Sequence, residues 1–172
     1  MRLFIAINFN EEIKKELSNN INFLKTNSIK GNYTNIDNLH LTLVFLGEVE
    51  EERLSLIKNI IDGLEASSGL INIGNYDSFR KGLIYREAKD NGGLVKIYNY
   101  LYTKLKEKGF NIEDREFRSH ITLGREVIFK RDFYFEYAKV KPLEFRYDSI
   151  SLMLSTRENG KLVYKELYLK KL

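Results

Sequence analysis

One four-residue word, His-apolar-Thr-Leu, occurs twice in this sequence and uses every histidine in it. It reads His40-Leu41-Thr42-Leu43 in the first half and His120-Ile121-Thr122-Leu123 in the second. The 172 residues hold two histidines and six threonines, so chance gives this coincidence little room. Histidine is the side chain whose ordinary pKa lies nearest neutral pH. A chain that keeps only two such groups and frames them alike is expected to use them together.

The word also constrains the fold. In a strand, side chains two apart share a face. His40 and Thr42 then look one way while Leu41 and Leu43 face a core, and His120 with Thr122, backed by Ile121 and Leu123, repeats the pattern. The neighbouring sequence supplies strand and helix in alternation. Residues 2–9 read as a buried strand, and 10–26 as an amphipathic helix capped by Asn10, with Ile13, Leu17, Ile21 and Leu24 at helical spacing. After the strand 39–46, ended by Gly47, a second helix opens at Glu50 with Leu54, Ile57, Ile60, Ile61 and Leu64 on one side. Short strands are expected at 70–73 and 83–85. A third helix, stopped by Gly109, carries Leu94, Ile97, Leu101 and Leu105. The second motif strand spans 119–124, and residues 126–141 fit a strand or an irregular aromatic segment equally well. Two strands, 145–155 and 161–169, close the chain around a hairpin turn with Asn159-Gly160 at its tip.

The halves correspond at an offset close to 80 residues: Phe4-Ile5-Ala6-Ile7, a helix and the His40 strand are answered by Leu83-Ile84-Tyr85-Arg86, a helix and the His120 strand. Duplication explains this better than coincidence. The expected architecture is α+β and bilobal, with two pseudo-twofold lobes and a cleft between them. No proline-, glycine- or serine-rich linker separates the halves, so residues 1–172 are expected to form one domain of two intertwined lobes.

Composition narrows the function classes. Hydrophobic residues at 43% and charged residues at 30% suit a soluble globular protein. No cysteine is present, which excludes disulfides, thiol nucleophiles and thiolate metal sites. The N-terminal apolar run ends by Asn8 with no small-residue cleavage site, and no run approaches the length of a membrane span. A cytoplasmic monomer with no obligate protein partner and no membrane association is expected. The net charge of +4 favours acidic partners only mildly, because the basic residues are interleaved with acids, as in Lys104-Leu105-Lys106-Glu107-Lys108.

Two imidazoles facing one substrate can act as general base and general acid. Threonine hydroxyls beside them suit non-bridging phosphate oxygens, and such a site needs placed donors and a cation rather than a metal. Arg125 is the first candidate cation. A uniform strand would put it on the face opposite His120, so the strand must end or bulge near Gly124. Arg118 has the right parity and is the alternative. No carboxylate joins either motif at ligand spacing, and neither a metal nor another cofactor is expected.

With these residues in view, the sequence resembles the two-histidine (2H) phosphoesterases, specifically the LigT-like RNA 2′,3′-cyclic phosphodiesterases. The resemblance rests on residues 1–7, on Asn38-Leu39-His40-Leu41-Thr42-Leu43-Val44-Phe45-Leu46-Gly47-Glu48 and on His120-Ile121-Thr122-Leu123-Gly124-Arg125. It implies two lobes, each an antiparallel sheet with helices outside, and hydrolysis of a terminal 2′,3′-cyclic phosphate of RNA or a nucleotide to a 2′-phosphate. It also implies His40 as proton donor to the departing 3′ oxygen, His120 as acceptor from water, and Thr42, Thr122 and Arg125 on the phosphate. Three positions depart from the family pattern: Val44 where relatives often carry lysine, Asn32-Tyr33-Thr34 where they often carry an Arg-Trp-Val-like segment, and Ser119 where proline is usual. The competing readings are cleavage or ligation of 2′,5′-linked oligonucleotides, and a nucleotide- or RNA-binding module without turnover.

Overall fold

Strands and helices alternate along the chain in the computed structural model, which describes residues 1–80 and 82–172. Strand β1 (Arg2–Asn8) leads into helix α1 (Glu11–Thr26), then β2 (Ser28–Tyr33) and the first motif strand β3 (His40–Glu48). Helix α2 (Leu54–Asp62), β4 (Gly69–Ser78), β5 (Ile84–Lys89) and helix α3 (Gly93–Glu107) precede the second motif strand β6 (His120–Phe129). Strands β7 (Leu143–Tyr147), β8 (Ser149–Glu158) and β9 (Lys161–Lys171) complete the chain.

Local chemistry accounts for the helices. The Asn10 side chain accepts from the Ile13 amide at 3.0 Å, and Glu11 and Glu12 sit in the first turn where the helix dipole favours them. Asp90 does the same for α3 from outside the helix, accepting from the amides of Gly92 and Leu94. Ile13, Leu17, Ile21 and Leu24 on α1, and Leu94, Ile97, Leu101 and Leu105 on α3, are all buried. Fully burying such a side chain stabilises by about 1.5–3 kcal/mol each. Among Leu54, Ile57, Ile60, Ile61 and Leu64, the middle three are the buried residues of α2, which stops at Gly63.

The strands form two antiparallel sheets, with orders β3-β1-β8-β9 and β2-β6-β5-β4-β7. In each, the motif strand pairs with the strand before its helix: β3 with β1, and β6 with β5. The duplicated units are therefore duplicated in space, one per sheet. The helix of each duplicated unit, α1 and α3, crosses over to the other sheet. Helix α1 follows β1 yet packs on β2 and β6, while α3 follows β5 and packs on β3. Most of the buried apolar residues, drawn from both sheets and all three helices, form one continuous cluster.

The end of the chain departs from the expected pair of strands. The stretch 145–155 divides at Asp148: β7 pairs with β4 in the second sheet and β8 with β1 in the first. Tyr147 and Ile150 are both buried, one in each sheet, so apolar patterning runs on through the crossing. The hairpin turn falls at Asn159-Gly160, where φ is +50° and +76°, the left-handed pair that a two-residue turn of this hand requires. Residues 126–141 hold the end of β6 and a 3-10 turn at Phe135–Tyr137 in otherwise irregular chain.

Arg86, the β5 counterpart of Ile7, is fully buried. Its guanidinium donates to the carbonyls of Ile73, Gly74 and Lys141 and to the Asn20 side chain, joining β4, α1 and the segment before β7. Those acceptors satisfy a cation that has no salt-bridge partner among the described residues.

Candidate active site

Both motif strands break their pairing at the same place in the word. Ile5 opposes Val44 but Ala6 opposes Thr42, which leaves Leu43 as an extra residue in β3. Ile84 opposes Gly124 but Tyr85 opposes Thr122, which leaves Leu123 as the extra residue in β6. A bulge of this kind lets two successive side chains take the same side. Leu43 and Val44 are accordingly both buried, as is Leu123 beside Gly124, while Phe45 and Arg125 are exposed. The expected break in β6 therefore lies at Leu123 and brings Arg125 back to the face of His120 and Thr122. Val44 points into the core and does not grip a ligand. Gly124 is needed for close approach, because a β-carbon there would lie 2.9 Å from the Tyr33 ring.

Each histidine is oriented by the backbone two residues earlier. His40 Nδ1 lies 2.7 Å from the Asn38 carbonyl, and His120 Nδ1 lies 2.7 Å from the Arg118 carbonyl. A carbonyl can only accept, so Nδ1 carries the proton in both rings and Nε2 is left for chemistry. The halves differ at that atom. His40 Nε2 accepts from the Thr42 hydroxyl at 2.9 Å. Among the described residues neither His120 Nε2 nor the Thr122 hydroxyl has a side-chain partner. The Thr122 carbonyl is held by the Thr34 hydroxyl at 2.9 Å.

Aromatic rings box both imidazoles. Phe4 and Tyr164 lie 4.9 and 5.2 Å from His40, centroid to centroid. Phe79 and Tyr85 lie 4.6 and 5.4 Å from His120, stacked on each other at 4.2 Å. Tyr85 is fixed by its hydroxyl, which donates to Asp77 at 2.9 Å; burial, with Asp77 assisting, pushes its pKa up to about 12. This apolar surrounding acts on the histidines as burial does on any cation. It lowers the His40 pKa to about 4, against the opposing hydrogen bond to Asn38, and the charges of His120 and Arg125 push the same way. It lowers His120 as well, with Arg115 and Arg125 adding to the effect. Strands β3 and β6 touch directly, and these charges act across that contact. The two words face one space.

Arg125 has no acidic partner among the described residues, whereas the Arg118 guanidinium is paired with Glu116 at 3.0 Å. Of the two candidate cations Arg125 is therefore the one available to an anion, and Arg118 serves His120 through its carbonyl. Three further residues contribute to the site. Phe4 and Tyr164 sit on the His40 face, in a small apolar cluster with Ala6 and Met153. Arg2 lies over the Phe45 ring at 5.0 Å, and its charge, like that of Arg125, reaches Tyr164. Strand parity could have found Phe4 and Arg2, since both share a β1 face with Ala6, which opposes Thr42. Ser119 donates to the Ala88 carbonyl and so ties the start of β6 to β5 without a proline. Among the described residues no three His, Asp or Glu side chains gather closely enough to hold a metal ion.

Residues 13–159 match the family model of the 2′-5′ RNA ligase superfamily. The chain belongs to that superfamily. A relative in Thermotoga maritima named RNA 2′,3′-cyclic phosphodiesterase is 32% identical to this superfamily member, over 98% of this chain and 94% of the relative. A Methanocaldococcus jannaschii relative of the same name is 35% identical over 73% of this chain and 71% of its own length. The crystal structure of E. coli LigT complexed with 3′-AMP shares the fold, with a TM-score of 0.83 at 24% identity and coverage of 99% and 97% of the two chains.

Proposed function

We propose that this superfamily member hydrolyses the 2′,3′-cyclic phosphate at the end of an RNA or nucleotide to a 2′-phosphate, using His40 and His120 as a proton-transfer pair. The observation that carries the reading is the matched orientation of the two rings, each with Nδ1–H on a backbone carbonyl at 2.7 Å and Nε2 left for the substrate. The relatives named RNA 2′,3′-cyclic phosphodiesterase support the substrate class.

Water attacks phosphorus while His120 Nε2 takes one of its protons, and the bond to the 3′ oxygen breaks as His40 Nε2 delivers a proton to that oxygen. Thr42 and Thr122 donate to the non-bridging oxygens, and Arg125 balances the charge gathering on them. Burial favours neutral His40 in the free protein. The phosphate anion supplies the missing element, because a negative charge beside an imidazole raises its pKa. Binding also turns the Thr42 hydroxyl from His40 Nε2 to the phosphate, which frees the ring for transfer.

One chain carries both histidines, so the reaction needs no partner subunit and residues 1–172 work as one unit. Every step uses the protein's own groups and none requires a metal. An RNA ending in a 2′,3′-cyclic phosphate is expected to be opened at an undiminished rate in excess chelator. Loss of turnover on chelation, restored by a divalent cation, would replace this mechanism with a metal-assisted one. The superfamily's name favours a second reading, in which the same proton pair acts on a 2′,5′-phosphodiester. A 2′,5′-linked dinucleotide consumed faster than the cyclic phosphate would select it.

A further inference from the structure

We propose that Asn38 is the positioning residue for His40, coupling the orientation of that imidazole to the edge strand β9 through a buried side-chain amide. The assignment rests on reading His40 as a proton-transfer group. Asn38 stands two residues before His40 and is 7% exposed, in a turn where an asparagine ordinarily faces water. Its side chain does not serve the turn. Nδ2 donates to the Leu162 carbonyl at 2.9 Å, and Oδ1 accepts from the Tyr164 amide at 3.1 Å. One side-chain amide thus reproduces the donor and acceptor of a neighbouring strand's peptide and occupies the backbone of β9, whose other side is paired to β8.

The same residue's carbonyl accepts the His40 Nδ1 proton at 2.7 Å. Tyr164, whose amide is held by Asn38, presents its ring edge-on to His40 at 5.2 Å and to Phe4 at 4.8 Å. The acceptor that fixes the His40 ring and the ring that walls it are therefore set by one buried amide. The turn's own hydrogen bonds, from the Asn38 amide to the Asn35 carbonyl and from the Asp37 amide to the Asn35 side chain, are local and fix nothing relative to β9. His40 is also faced by His120 and Arg125 from β6, and it accepts from Thr42 on its own strand.

The other half of the site provides the internal control. Arg118 occupies the same place before His120 and offers the same carbonyl, but its side chain is exposed and paired with Glu116. Both halves offer the carbonyl, and the buried side-chain anchor stands in the first. Small errors in the placing of a transferring group are costly to rate, so the anchor acts on turnover more than on binding.

With only two histidines in the 172-residue chain, a long-range proton–nitrogen NMR spectrum of the 15N-labelled protein contains two imidazole patterns. Both are expected to show the Nδ1–H form at neutral pH. In Asn38→Ala the His40 pattern is expected to become a mixture of the two tautomers while that of His120 stays in place. The kcat for a 2′,3′-cyclic nucleotide should fall about tenfold or more with KM changed less than about twofold. Asn38→Asp, which keeps the acceptor for the Tyr164 amide and loses the donor to Leu162, should fall between the two. A folded Asn38→Ala protein with an unaltered His40 pattern would overturn the assignment, as would equal changes at both histidines. Unfolding of both variants would reduce Asn38 to a structural part and overturn it equally. The NMR readout needs no substrate, so a failure of the proposed hydrolysis shows separately, as absence of turnover in the wild-type protein.

Discussion

His40→Ala and His120→Ala are each expected to lower the rate of cyclic-phosphate opening by at least about a hundredfold, the scale of a lost general acid or base. The fold should survive both changes. Each imidazole is half-buried on the cleft face of its strand, while Leu41, Leu43, Ile121 and Leu123 on the other face hold the core. A substrate with sulfur in place of the bridging 3′ oxygen separates the two roles. Sulfur departs as a thiolate and needs no proton, so this substrate should restore most of the rate to His40→Ala and none to His120→Ala. The opposite pattern would exchange the roles of acid and base. A rate near that of wild type in either alanine variant would remove the paired mechanism altogether.

Stability is expected to fall as the pH drops from about 6.5 toward 4, and His40 is the largest single reason. Its pKa in the folded protein lies at about 4, below the ordinary histidine value of 6.5. Between those values the unfolded chain holds a proton on this ring that the folded chain refuses. Protons therefore favour unfolding across that window. The stability is fully present above about pH 6.5, and up to about 3 kcal/mol of it is lost as the pH falls through 4. His120 is shifted in the same direction and adds to the slope. The carboxylates held low by hydrogen bonds, Asp114 by Tyr102 and Lys106 and Asp148 chiefly by Lys171, act at more acidic pH. Urea unfolding at several pH values between 4 and 7 measures the slope, and His40→Gln should flatten it. An unchanged slope in that variant would mean that His40 is not held neutral by the fold.

Much of this architecture was legible because local chemistry and tertiary structure agree. Asn10 caps the helix that its position announces, Asn159-Gly160 makes the hairpin, and the alternation around His40 and His120 puts histidines in the cleft and leucines in the core. What stayed hidden has a physical cause in each case. The division at Asp148 needs one unpaired residue between two strands that are both apolar inward, so periodicity carries no mark of it. Strand β2 holds Gly31 and no buried side chain, and its pairing with β6 alone defines it. Leu43 and Leu123 look like ordinary core residues of a regular strand, and only the register shows that each is supernumerary. The aromatic box around each histidine draws on residues far apart in sequence, and a Phe or Tyr read singly is core by default. The Asn38 amide reaches a strand 124 residues away, a contact that no local pattern announces.

Two histidines acting together on one cyclic phosphate predict a single product. A 2′,3′-cyclic nucleotide incubated with the protein in 18O-labelled water and followed by 31P NMR tests this most directly. The expected result is conversion to the 2′-monophosphate alone with one 18O on phosphorus, since water attacks and the 3′ oxygen departs. Formation of the 3′-monophosphate, a mixture of both isomers, or no consumption of the cyclic nucleotide would contradict it.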